Sequence, residues 1–112
     1  MKSIYIAGPY TSNPEENVKI AIHEGDYCAR LGWYPYIPHF SHYWHMEIPH
    51  EYEFWMRQDE YWLRKCAAFL RIKGESAGAD AEMAIAKEMG LPIYYSVFEV
   101  PKLRIILPIL AI

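Results

Sequence analysis

Ile4-Tyr5-Ile6-Ala7-Gly8-Pro9-Tyr10 decides the fold class. Ile4 to Ala7 is a short apolar run cut off by Gly8-Pro9, the pattern of a strand buried on both faces. Next, Ser12-Asn13-Pro14-Glu15-Glu16 reads as a helix start, with Asn13 as N-cap, Pro14 at the first helical position and Glu16 completing a capping box. The helix that follows places Val18, Ala21, Ile22, Gly25, Cys28 and Leu31 on one face, and Gly32 ends it. Tyr34 to Pro38 is a short extended piece. A loop rich in histidine and aromatic residues runs from His39 to His50. A second helix, from about Glu51 to Cys66, has the inner stripe Tyr52, Trp55, Met56, Asp59, Trp62, Leu63 and Cys66. Ala67 to Ile72 reads as a strand and Gly74 to Gly78 as a turn. A third helix spans about Ala79 to Met89, stopped by Gly90 and Pro92, and Ile93 to Phe98 reads as another strand.

Strands alternating with helices through short connections predict one three-layer α/β domain, Rossmann-like or flavodoxin-like, with a parallel sheet of four to five strands. Ligands bind such sheets at the carboxyl ends of the strands, near a topological switch point. Here those ends carry Gly8-Pro9-Tyr10, Pro38-His39 and Lys73 to Gly78, so a site is expected from these three loops.

The bulk properties fit one domain over residues 1–112. The chain has 112 residues, and its hydrophobic fraction of 53% excludes global disorder. A net charge of −3 carries no basic footprint, so no nucleic-acid partner is expected. Cys28 and Cys66 form no CxxC pair, which speaks against a zinc–cysteine site and fits a reducing, cytoplasmic setting. Gly8 and Pro9 break the first apolar run, so no secretory leader is expected. The apolar tail, residues 103–112, contains Arg104 and Pro108 and is too short to span a bilayer, so no membrane association is expected. That tail would need cover, which predicts a subunit interface and at least a homodimer.

Two carboxylates stand out. Asp59 falls within an otherwise apolar helical stripe. Either the stripe's phase leaves it solvated at the edge, or it is a carboxylate aimed into a pocket with a shifted pKa. Glu82 lies in the first turn of the third helix, with Ala79, Met83 and Ala86 on its face. It either complements the helix dipole or, in a cleft among small residues, serves as nucleophile or base. Gly74-Glu75-Ser76-Ala77-Gly78 lacks the P-loop and GxGxxG patterns. It is an ordinary turn or a seat for a single phosphate at a helix N-terminus. His39, His42, His45 and His50 fall close together, but their spacing defines no tetrahedral set. A lid or pocket wall, with Phe40, Tyr43 and Trp44 offering stacking area, is preferred to a metal site. Trp33, Trp55 and Trp62 are read as core. Cys28 and Cys66 face inward, where cysteine is inert.

With these residues in place, the chain resembles the nucleoside 2-deoxyribosyltransferase superfamily. The resemblance is carried by Ile4-Tyr5-Ile6-Ala7-Gly8-Pro9-Tyr10, by Asp59-x-x-Trp62-Leu63, and by Ser76-x-Gly78-x-x-x-Glu82 followed by Ala86, Gly90 and Pro92. Together these cover most of residues 3 to 98. The stretch Pro38-His39-x-Ser41-His42-x-Trp44-His45 resembles a small uncharacterised subgroup. The resemblance implies cleavage or transfer at the N-glycosidic bond of a nucleoside, deoxynucleoside or 5′-monophosphate. It gives Glu82 the part of nucleophile at the anomeric carbon, Tyr5 that of orienting the carboxylate and Asp59 that of contacting the leaving base. Such chemistry follows a retaining glycosidase, with a buried Asp59 of raised pKa as candidate acid. Gly8, Pro9, Tyr10, His39, His42, Ser76 and Gly78 are the expected substrate-binding residues. No cofactor and no metal are expected.

Two positions depart from the superfamily pattern. Ala67 stands where many members have an aspartate. Ser76 stands where the transferases carry an aspartate that meets the sugar. The serine favours the monophosphate hydrolases, whereas Gly8-Pro9-Tyr10-Thr11 lacks the arginines expected beside a phosphate. Two rival readings remain at this point: a non-catalytic nucleotide-binding or sensing domain on the same scaffold, and a metal-dependent hydrolase using the histidine loop.

Overall fold

A computed structural model describes residues 2–103. Strand β1 (Ser3–Ala7) leads to helix α1 (Pro14–Arg30) and edge strand β2 (Tyr34–Tyr36). A 3-10 turn at Pro38–Phe40 and helix α2 (Ser41–Glu47) follow, then α3 (Tyr52–Leu63), β3 (Ala68–Arg71), α4 (Ala77–Glu88), β4 (Ile93–Tyr94) and a 3-10 turn at Val97–Glu99. The strands form one parallel sheet in the order β2-β1-β3-β4. The chain steps from β1 to one side and crosses back to the other, so the switch point lies between β1 and β3. This is the expected three-layer, Rossmann-like architecture, with four strands among the described residues.

Alternation along β1 assigns the two faces. Ile4 and Ile6 join Ala21, Cys28, Trp33 and Leu70 in the core under α1. Tyr5 and Ala7 join Leu63, Phe69, Ala79 and Ala86 in the core under α3 and α4. A period of two sends successive side chains to opposite layers, and helices on both faces require both sets to be apolar. On the second face an aromatic row crosses the sheet: Phe69 stacks on Tyr5 at 5.7 Å, Tyr5 on Tyr36 at 5.6 Å and Tyr36 on Trp62 at 5.9 Å. The row clamps the Tyr5 ring from both sides.

Several local expectations need correction. The capping box at the start of α1 does not form: Asn13 is the N-cap without a side-chain bond. Instead the Asn17 amide donates to the Tyr10 carbonyl and the Ser12 hydroxyl, tying the β1–α1 loop to the helix. Ile22 is more than a third exposed, because α1 buries only the narrow stripe Val18, Ala21, Gly25 and Cys28. The stretch from His39 to His50 is not a loop; its centre is α2. The strand expected over Ile93 to Phe98 ends at Tyr94, and the Ser96 hydroxyl accepts from Phe98 N to begin the 3-10 turn. Of the three tryptophans expected in the core only Trp33 is buried; Trp62 is exposed on one side. The tail from residue 104 onward lies outside the described residues. Just before it, Leu103 N donates to the Leu31 carbonyl at 2.7 Å and Trp33 Nε1 to the Pro101 carbonyl at 2.8 Å. Among the described residues no helix is long and apolar enough to cross a membrane.

Candidate functional site

A cavity of about 580 Å³ opens at the carboxyl ends of the strands, beside the switch point. Gly8 and Tyr10 line it from the β1–α1 loop, Pro38 and His39 from the loop after β2, and Glu75, Ser76 and Gly78 from the β3–α4 junction. These are the three loops expected to build a site.

The junctions between the loops explain two residues of the opening motif. A Cβ added to Gly8 would lie 2.8 Å from Ile72 Cβ, so the ends of β1 and β3 approach as closely as they do only with glycine there. Gly74 has φ of +120°, and a Cβ there would lie 2.8 Å from Pro9 Cγ. Pro9 is therefore not a lining residue. Its ring buttresses Gly74, and its carbonyl accepts from His39 Nε2 at 3.0 Å, so one residue joins all three loops. His42 likewise does not line the cavity. It is buried with its Nδ1 2.6 Å from the Tyr10 hydroxyl, which fixes Tyr10 in the wall.

Glu82 and Asp59 both face the cavity. Glu82 is buried, and its Oε2 accepts from the Tyr5 hydroxyl at 2.6 Å. Helix α4 begins at Ala77, two residues before the expected start, because Ser76 rather than a later residue is its N-cap; the Ser76 hydroxyl accepts from Ala79 N at 3.1 Å. Glu82 thus sits in the second turn, beyond the reach of the dipole argument. Burial dominates instead and pushes its carboxyl up to about 7, against the Tyr5 hydrogen bond and the Arg71 charge, which pull it down. Asp59 is held by burial, and secondarily by the charge of Glu82, with its carboxyl pushed up to about 8. The Tyr5 hydroxyl is raised well above its ordinary value by burial and then by Glu82, so it remains a donor. The reading of Asp59 as a solvated edge residue is set aside.

Among the described residues two buried side-chain polar atoms lack a hydrogen-bond partner: Asp59 Oδ1 and His39 Nδ1. Both belong to residues that line this cavity. Buried polar groups are almost always paired, with protein or with ordered water, so these two atoms leave bonding capacity on the cavity wall. His39 donates through Nε2, which leaves Nδ1 as an acceptor, and burial lowers the ring's pKa.

The charge of the lining is one-sided. Asp59, Glu75 and Glu82 carry carboxyl groups, and among the described residues no lysine or arginine lines the cavity. Arg71 is buried and turned into the fold. Its guanidinium donates to the carbonyls of Ile72 and Gly74 and to Asp80 Oδ1, fastening the β3–α4 loop. Lys73 is exposed and lines nothing. Among the described residues no three His, Cys, Asp or Glu side chains are placed to hold a metal ion.

The stretch from His39 to His50 does supply a wall, through Ser41, His45 and His50, whereas Phe40, Tyr43 and Trp44, expected to offer stacking area, do not line the cavity. Thr11, Tyr52, Trp55 and Met56 also line it and were not expected there. Trp55 and Met56 lie on the predicted α3 stripe with Asp59. A stripe that contains a carboxylate faces a cavity rather than a core, and that was the available signal. A family model described as a domain of unknown function (DUF7768) matches residues 2–96. None of the curated proteins matches the chain.

Proposed function

We propose, for a chain that belongs to the DUF7768 family, that it cleaves or transfers the N-glycosidic bond of a nucleoside through a glycosyl ester on Glu82. The observation that carries this reading is the pair of carboxyls on one cavity in different surroundings: Glu82 on the Tyr5 hydroxyl, Asp59 with an unpartnered oxygen. Groups whose environments separate their pKa values divide into base or nucleophile and acid.

The reaction runs in two displacements. An ionised Glu82 oxygen attacks the anomeric carbon as the bond to the base nitrogen breaks. The electron pair leaves with the base, and protonated Asp59 delivers its proton to it. Tyr5, clamped by Phe69 and Tyr36, is a positioning residue that orients the nucleophile and spreads its charge. Water, or the N–H of a second base, then attacks the anomeric carbon and gives its proton to Asp59. The ester C–O bond breaks, and its electron pair returns to Glu82.

The lining favours an uncharged nucleoside over its 5′-monophosphate. Phosphate sites draw on lysine, arginine or free helix N–H groups. Here Arg71 is committed to the loop, and among the described residues no lysine or arginine lines the cavity. Exposed Phe40, Tyr43, Trp44, Met46 and Ile48 form an apolar surface around α2, which supports a homodimer or higher assembly. Sedimentation that finds only a 13.2 kDa species at micromolar concentration would contradict that assembly.

The test is chromatography for free base. The protein is incubated with deoxynucleosides and their monophosphates, with and without a second base, beside Glu82→Ala. Release from a nucleoside that disappears in Glu82→Ala is expected. Release only with a second base present identifies a transferase. Ligand binding with no release from any substrate would replace the enzyme by a binding domain.

A further inference from the structure

The wall formed by α2 and α3 holds a histidine that the reaction above does not use. His45 Nδ1 lies 2.9 Å from Trp55 Nε1 and 3.2 Å from the backbone N of His50. An indole N–H and a peptide N–H can only donate. Two donors on one ring nitrogen require it to be the bare nitrogen, so the ring hydrogen sits on Nε2. The donors are themselves fixed: Trp55 packs edge-on against Trp44 at 4.9 Å and Phe54 at 4.9 Å, and His50 stacks on Phe54 at 3.9 Å. Among the described residues Nε2 makes no hydrogen bond, and His45 lines the cavity. A residue of the cavity wall therefore carries an unpaired N–H donor of set tautomer.

We propose that His45 is a specificity-determining residue, donating through Nε2–H to a ring nitrogen or carbonyl on the edge of an uncharged heteroaromatic group bound against Trp55, Tyr52 and Met56. That this group is the leaving base rests on the glycosidic reading above; the recognition of a heteroaromatic edge does not. Trp55, Tyr52 and Met56 line the same cavity, and among the described residues no lysine or arginine does, which suits a ring and not an anion. One fixed donor discriminates strongly, because a ring without an acceptor at that edge leaves the N–H desolvated and unpaired.

Nitrogen-15 NMR of histidine-labelled protein tests the tautomer, and calorimetry tests recognition. The probes are hypoxanthine, adenine, thymine and cytosine, with indole as a ring that lacks an edge acceptor. The spectrum is expected to show His45 with Nδ1 bare and Nε2 protonated. At least one of the four bases is expected to bind about tenfold more weakly to His45→Phe and to recover in His45→Gln, whose amide restores a donor, while indole is indifferent to both. Trp55→Phe keeps the ring and removes the N–H; it is expected to release the tautomer and reduce discrimination between base and indole. A proton on Nδ1, equal losses for base and indole, no loss in His45→Phe, or no binding of any of the four bases would overturn the proposal. Base release is followed in parallel. Binding that depends on His45 without any release defeats the glycosidic reading alone. Release that is indifferent to His45→Phe defeats this inference alone.

Discussion

The Tyr5 hydroxyl and the Glu82 carboxylate, 77 positions apart in the chain, meet in a buried hydrogen bond of 2.6 Å. Tyr5 is the second residue of β1's apolar run, and the same alternation that buries Ile4 and Ile6 under α1 turns Tyr5 toward α4. Fold and candidate chemistry thus depend on one register.

Tyr5→Phe separates the hydroxyl from the ring. The aromatic row is kept and the hydrogen bond is lost. Without that bond Glu82's carboxyl rises further above about 7. The acid limb of the pH–rate profile is therefore expected to move to higher pH, with a rate loss of about tenfold to a hundredfold at pH 7. A pH–rate series on both proteins measures it, and an unmoved limb contradicts the positioning role.

The pair also sets the shape of that profile. The proposed reaction needs one carboxyl of the pair ionised and the other protonated, so a bell-shaped profile is expected, with its two limbs belonging to the pair and bracketing the region of about 7 to about 8. Asp59→Asn removes the upper limb and lowers the rate throughout. A profile that keeps its upper limb in Asp59→Asn assigns the acid elsewhere.

Stability is expected to run the opposite way from the common carboxylate case. Both carboxyls have folded-state pKa values above their unfolded ones, so the native state binds more protons and loses stability as pH rises from about 4 toward 8. Glu82→Gln and Asp59→Asn remove the buried charge. Each is expected to raise Tm at pH 8 and to leave it little changed at pH 4, as thermal unfolding at the two pH values will show.

Gly8→Ala forces apart two strand ends that now meet at van der Waals limits, since the new Cβ falls 2.8 Å from Ile72 Cβ. A cost of about 1–3 kcal/mol is expected from overpacking. Denaturant titration checks this, and a neutral result would show that the strand ends can separate freely.

Arg71→Met is expected to cost about 1–3 kcal/mol, because the carbonyls of Ile72 and Gly74 lose their donor. Asp80→Ala, which removes the exposed partner of the same guanidinium, is expected to cost less than about 1 kcal/mol. The difference between the two, measured by denaturation, separates fastening of the loop from the ion pair.

Much of this was legible before any coordinates. The short apolar run ending in Gly8-Pro9 predicted β1, its side and its switch-point loop, and Asp59 and Glu82 were conspicuous because carboxylates do not sit idle on apolar faces. Other parts were not legible, for identifiable reasons. Helix α2 is only seven residues, has no side-chain cap and carries histidines and aromatics in place of a clean apolar stripe. Pro9 and His42 act by bonding to other loops, and His45 acquires its tautomer from Trp55 and His50, relations that exist only after α2 and α3 pack.

Mass spectrometry after rapid quenching reads the proposed covalent bond to Glu82 itself. A nucleoside bearing fluorine at the sugar 2-position destabilises the oxocarbenium-like transition state and slows breakdown of the ester. Incubated with such a substrate, the protein is expected to gain the mass of one fluorinated sugar on the peptide that contains Glu82, with free base released in equal amount, and Glu82→Gln is expected to gain nothing. Base release by the wild-type protein with no adduct on that peptide, or release undiminished in Glu82→Gln, would contradict it.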